Sequence, residues 1–197
     1  IEGTSDLTPT VERLLREGKY QEALEKLNIA GTIVPDSKAY LQLSANVYRR
    51  IGRLKEAEHM LRRANMLYPN DPEILNSLGD VYLAQNHFKD AHEHFSSAIQ
   101  KLPENLVLQN NLGALEMQIY HLDSAEKVFE RVLKIRPNWA MARQNLNNLR
   151  VRIKELDREI EQLRRDFHQH PTYFDIAVAL GKALLLRGYT SEGKTVL

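Results

Sequence analysis

The sequence predicts an all-α fold made of a repeated helix hairpin, and three observations carry that prediction. Prolines stand at Pro35, Pro69, Pro103, Pro137 and Pro171, each 34 residues after the last. Within residues 72–105, apolar side chains fall at Ile74, Leu75, Leu78, Val81 and Tyr82, then at Phe88, Ala91, Phe95, Ala98 and Ile99. Each set keeps the three-and-four spacing of a helix with one buried face. The polar break Gln85-Asn86-His87 separates the two helices, and Pro103 stops the second, since proline lacks the N–H a helix needs and clashes with the preceding turn. Third, small residues recur in phase where bulk would hold two helices apart: Ala23, Ala57, Ala91 and Ala125, each followed four residues on by Leu27, Leu61, Phe95 or Phe129.

This period and pattern resemble the tetratricopeptide repeat, a 34-residue helix–turn–helix unit. The resemblance covers almost the whole chain. It implies an α-solenoid of stacked antiparallel helix pairs, a superhelix of about five to six repeats. It implies no particular ligand.

Residues 1 to 3 read as a leftover or frayed end, and residues 4–139 as four hairpins. Repeat one (4–37) carries Leu14, Tyr20, Ala23, Leu27, Ala30 and Pro35, with Val11 where the first helix wants a small residue. Repeat two (38–71) matches closely through Leu41, Ala45, Tyr48, Ala57, Leu61 and Ala64, and Gly52 marks its turn, where positive φ is favoured. Repeat three is the stretch already described, with Gly79 at its contact point. Repeat four (106–139) has Leu112, Gly113, Leu122, Ala125 and Phe129, although its turn, Tyr120-His121, lacks glycine. Trp139 reads as a packing plug at its end.

Residues 140–173 keep the proline but strain the pattern, because Asn147, Glu159 and Asp166 occupy the small-residue positions. Leu146, Leu149, Ile153, Leu156, Ile160, Leu163 and Phe167 alternate three and four apart, which is a heptad seam. Two readings stand: a divergent hairpin, or one unbroken helix from about 139 to 168 projecting from the array. The second makes Leu149, Ile153, Leu156, Ile160, Leu163 and Phe167 a self-association surface, with Arg152 facing a partner's Asp157 and Glu159 a partner's Arg164. Residues 174–197 begin a sixth repeat at Leu180, Gly181, Leu184 and Gly188 that stops partway. The chain starts Ile1-Glu2-Gly3 without Met and ends inside an apparent helix, so an excerpt of a longer protein is expected.

Composition narrows the function. With 43% hydrophobic residues in 197, a sizeable core is affordable. A net charge of +1 from 27 basic and 26 acidic residues argues against a dedicated nucleic-acid binder. Zero cysteines exclude disulfides, thiolate metal sites and cysteine nucleophiles. No apolar run approaches the roughly 20 residues of a membrane span. His92 and His94 are two apart and diverge on a helix, while His168 and His170 read as a solvated helix end. Neither a cofactor, a metal nor a catalytic residue is expected.

By the resemblance, first helices line an inner, concave wall. The fifth position of successive repeats then gives Gln42, Asn76, Asn110 and Gln144, with Asn111 and Asn145 beside that row and Asn46, Asp80 and Asn148 four residues on. An amide offers a donor and an acceptor without charge, so a column of them suits the backbone of an extended peptide. The row resembles the asparagine ladder of O-linked N-acetylglucosamine transferases. The family's carboxylate clamp is not expected, since its Lys and Arg positions hold mostly Gln, Asn, Ser and Ala despite Arg49 and Arg50. Asn76 and Asn110 should both point into solvent, so that alanine there weakens partner binding without lowering helical content. The expected function is a non-catalytic protein-binding module. The alternatives are a substrate-presenting domain of a larger enzyme, such as a glycosyltransferase, and a scaffold that associates with itself.

Overall fold

The computed structural model describes residues 7–197. The expected leftover at residues 1 to 3 and the start of repeat one lie outside them. The described residues form α-helices and no strand, so the fold class is an all-α helical-repeat solenoid. The chain divides into two compact units, residues 1–105 and residues 106–197.

In unit 1, α1 (Leu7–Arg16) pairs with α2 (Tyr20–Ile33), α3 (Lys38–Arg50) with α4 (Leu54–Leu67), and α5 (Pro72–Ala84) with α6 (Phe88–Lys101). The first helices also touch in sequence, α1 to α3 and α3 to α5, and so make one wall. Two local devices set this geometry. Residues preceding proline are pushed out of the helical region, and Val34, Tyr68 and Leu102 accordingly cap their helices at φ −133°, −127° and −133°. Each hairpin turn needs one left-handed residue, supplied by Gly18, Gly52 and Asn86 at φ 72°, 79° and 60°. Glycine takes that conformation freely and asparagine tolerates it.

The hairpins close through a size-matched pair. Val11 faces the position of Leu27, Ala45 that of Leu61, and Gly79 that of Phe95, all six buried. A methyl group at Gly79 would lie 2.5 Å from Phe95 Cε1, so the ring occupies the space a side chain would need.

In unit 2, α7 (Leu106–Gln118) pairs with α8 (Leu122–Ile135) through the same device, Gly113 against Phe129. Tyr120 turns this hairpin at φ 63° in place of glycine, with Arg152 stacked 3.9 Å above its ring. Next comes α9 (Ala140–Gln169), a single helix of 30 residues, then α10 (Phe174–Arg187) and α11 (Thr190–Val196). The repeat's turn position, left-handed at Gly18, Gly52, Asn86, Tyr120 and Gly188, falls here on Lys154, which is helical. The cause is steric. Asn147, Glu159 and Asp166 stand where a hairpin needs small residues, so the second half of α9 cannot fold back onto the first. It continues, and Pro171 ends it one residue after the His170 cap.

The heptad seam is not an open surface. Leu146, Leu149, Leu156 and Ile160 are buried with Leu122, Phe129, Leu180 and Leu184 of the same chain, and Ile153, Leu163 and Phe167 pack against that cluster. Nor does α9 project freely, since α8 and α10 both pack along it. The charges expected to face a partner are also engaged internally. Arg152 Nη1 donates to the Met117 carbonyl at 3.1 Å, Arg187 Nε to Asp157 Oδ1 at 2.7 Å, and Arg164 to Glu192 at 2.6 Å.

Candidate functional site

The expected amide positions are shared between the units, Gln42, Asn46, Asn76 and Asp80 in unit 1 and the rest in unit 2. In unit 1 the helix starts fix the register. Ser37 Oγ accepts from the Tyr40 N–H at 3.2 Å and caps α3. Asp71 Oδ1 accepts from the N–H groups of Glu73 and Ile74 at 2.9 and 3.2 Å and caps α5, with Pro72 as its first residue. Lys38 Nζ, at the head of α3, then donates to Asp71 Oδ2 at 2.6 Å and Glu73 Oε2 at 2.7 Å at the head of α5. The carboxylates hold the Lys38 ammonium above the usual lysine range, the Asp71 hydrogen bond most of all. These contacts tie the head of α3 to the head of α5.

A pocket of about 350 Å³ lies on the wall made by α1, α3 and α5. Gln42, Asn46 and Asp80 line it together with Thr8, Glu12, Arg49 and Ser77, and Leu61 of α4 contributes to its apolar side. Asn76 is half-buried and is not among the lining residues. Glu12 and Thr8 escaped the sequence reading, although Glu12, Asn46 and Asp80, like Thr8, Gln42 and Asn76, each recur at 34 residues. The irregular first repeat masked that signal. Arg49 Nη2 lies 3.5 Å from Asn46 Oδ1, so the guanidinium edges the pocket beside the amide.

Asp80 carries the electrostatic signature. Burial pushes its carboxyl up to about 6, against the opposing pull of Arg49. Because the folded-state value exceeds the unfolded one, the native chain binds more protons between about pH 4 and 6, and stability falls as pH rises through that window. Asp80→Asn should therefore stabilise the protein at neutral pH by about 1–3 kcal/mol and flatten the pH dependence between about pH 4 and 6. Urea unfolding at several pH values checks both.

Unit 2 uses its amides differently. Asn110 is 2% exposed, and its Oδ1 accepts from Asn145 Nδ2 at 3.2 Å. The expectation that Asn110 points into solvent is corrected on this point: α9 covers it, and its amide joins α7 to α9. An alanine there would report on stability. Asn111 and Asn145 are half-buried, while Gln144 and Asn148 lie exposed one turn apart on α9.

A larger, mostly apolar cleft of about 640 Å³ lies in unit 2 between the turn that leads into α8, with the first residues of α8, and the end of α10, lined by Ile119, Tyr120, Leu185 and Leu186 among others. Arg187 fixes its wall by bridging Asp157 of α9 and Asp123 of α8, the latter at 3.0 Å. None of the expected site residues lies in it. It exists because α10 returns along the second half of an unbroken α9, a feature that hairpin spacing does not convey.

Histidines are placed locally. His94 Nδ1 lies 2.8 Å from the Asp90 carbonyl, His92 Nδ1 3.4 Å from Ser96 Oγ, and His170 stacks on Tyr173 at 4.9 Å. Among the described residues, no three His, Cys, Asp or Glu gather into a metal-binding group. No helix among them is long and apolar enough to cross a membrane.

Known proteins with this architecture share the repeat. No curated relative matches the sequence. Among solved structures, the thermophilic tetratricopeptide-repeat protein TTC0263 of Thermus thermophilus superposes with a TM-score of 0.70 at 19% identity, over 92% of this chain and 98% of that one. PilW, a widely conserved type IV pilus biogenesis factor, gives 0.69 at 17% identity, over 98% and 89%. PilF of Pseudomonas aeruginosa gives 0.67 at 18%, over 99% and 89%. Such a fold implies, in general terms, a scaffold for protein–protein interaction, and repeat proteins of this class are generally non-catalytic. The tetratricopeptide repeat family model matches residues 14–80 and 82–146, well over half of the sequence, and with the recurring turn, proline and contact positions this establishes that the chain belongs to the tetratricopeptide repeat family.

Proposed function

We propose that this protein is a non-catalytic binding module that grips an extended segment of a partner protein on the first-helix wall of unit 1. The observation that carries the reading is the pocket in which Gln42, Asn46 and Asp80 converge from two neighbouring helices. Gln42 and Asn46 lie one turn apart on α3 and present donors and acceptors along one line. An extended strand offers N–H and C=O groups alternately, so such a line can satisfy its backbone whatever its side chains. The pocket then supplies a place for one side chain, and so some selectivity. Its volume sits at the small end of the roughly 300–1,000 Å³ typical of ligand sites, which suits a side chain better than a whole cofactor.

A random peptide library panned on the protein tests this. Selected peptides should lose about tenfold or more in affinity for the Gln42→Ala/Asn46→Ala double variant, as expected when two polar contacts are removed. Circular dichroism should be unchanged, because both side chains are only half-buried. Peptides that bind the double variant as tightly as the parent protein would place recognition elsewhere.

A further inference from the structure

Building on the peptide-binding reading above, we propose that the unit 1 pocket is a subsite for a cationic side chain of the bound segment, lysine or arginine, with Asp80 as its counter-ion. The charged residues lining the pocket are Glu12 from α1, Arg49 from α3 and Asp80 from α5, while α4 contributes the apolar Leu61. Two of the three charges are negative, and they come from the two outer helices of the wall. Arg49 is directed to the amide of Asn46, and its field does not fully offset the burial of Asp80, whose carboxyl still titrates at about 6. A half-buried carboxylate in that state gains from a second positive charge delivered into the pocket.

The competing occupants fare worse. An acidic side chain would meet Glu12 and Asp80 as like charges. An apolar one would further desolvate the Asp80 carboxyl and bring no compensating charge. A lysine or arginine can lay its alkyl stem against the pocket's apolar lining and bring its charged end to Asp80, with the Gln42 amide and the Nδ2 group of Asn46 left for the segment's backbone.

Three capped pentapeptides, alanine throughout except for a central lysine, glutamate or norleucine, test the assignment by titration into the isotope-labelled protein. At about pH 6.5, the lysine peptide should shift the backbone amides of residues 42–49 and 77–81 saturably, and the other two should bind at least about tenfold more weakly. Asp80→Asn, which should retain the fold, should cost the lysine peptide about tenfold and leave the norleucine peptide unchanged. Lowering the pH to about 5 should weaken the lysine peptide by close to tenfold in the parent protein and not in the variant, as Asp80 takes up its proton. If all three peptides shift these amides alike, or Asp80→Asn leaves lysine binding unchanged, the cationic subsite is wrong and the peptide groove stands. Preferential binding of the glutamate peptide through Arg49 would likewise overturn it. If none of the three perturbs these residues, both readings fall.

Discussion

Phe95→Ala should destabilise unit 1 by about 3–5 kcal/mol, the range for removing a fully buried aromatic ring from a packed interior. That is a large share of the roughly 5–15 kcal/mol that holds a typical domain together. The ring is sealed from solvent and lies against Gly79, where even a methyl carbon would sit 2.5 Å from it. No neighbouring side chain reaches in from that direction to fill the cavity. The same geometry predicts a compensating pair. Gly79→Ala alone should be destabilising by overpacking, and Phe95→Leu alone by leaving space. Together they recreate the alanine–leucine combination that repeat two already uses at Ala45 and Leu61. The double variant should therefore be more stable than the sum of the single changes implies, a coupling that urea unfolding can measure.

Lys154→Pro should cost unit 2 about 3 kcal/mol or more, because proline in a helix interior removes a hydrogen bond and clashes with the preceding turn. Lys154 is exposed, so lost side-chain packing contributes little. The damage spreads because Leu156 and Ile160, just beyond the break, share one core with Leu180 and Leu184 of α10. Hydrogen exchange should therefore accelerate in α10 and α11 as well as in α9. Lys154→Gly distinguishes the two backbones by sign. In the unbroken helix it should destabilise by about 1 kcal/mol, whereas a left-handed turn at that position would make glycine favourable.

The elements most legible in the sequence were those fixed by local backbone chemistry. The spaced prolines force their preceding residues out of the helix, and Gly18, Gly52 and Gly188 announce left-handed turns without any tertiary information. The Tyr120-His121 turn is legible from the helix spacing on either side of it, but the left-handed φ of Tyr120 is not, since tyrosine has no preference for that region. The fate of the seam in α9 was undecidable from its spacing alone. Heptad leucines serve equally against a second copy or against the chain's own α8 and α10, and only the fold shows that the latter are in place. The site behaved likewise. Periodicity found Gln42, Asn46 and Asp80, which do converge, but gave Asn110 the same role because it occupies the same position as Gln42. Burial beneath α9 separates the two, and burial is a property of the neighbours. Glu12 is hidden for a related reason: its repeat is irregular, and its place in the column follows only from the packing of α1 beside α3.

The wall of unit 1 as the gripping surface is tested most directly by photo-crosslinking. A benzophenone amino acid in place of Ser77, which lines the pocket but is given no contact to the segment, is compared with the same group in place of Arg62, on the exposed side of α4, using a peptide selected from the library. The account predicts strong labelling from position 77, suppressed by excess unlabelled peptide, and only background from position 62. Equal labelling from both, or labelling from position 62 alone, would contradict it.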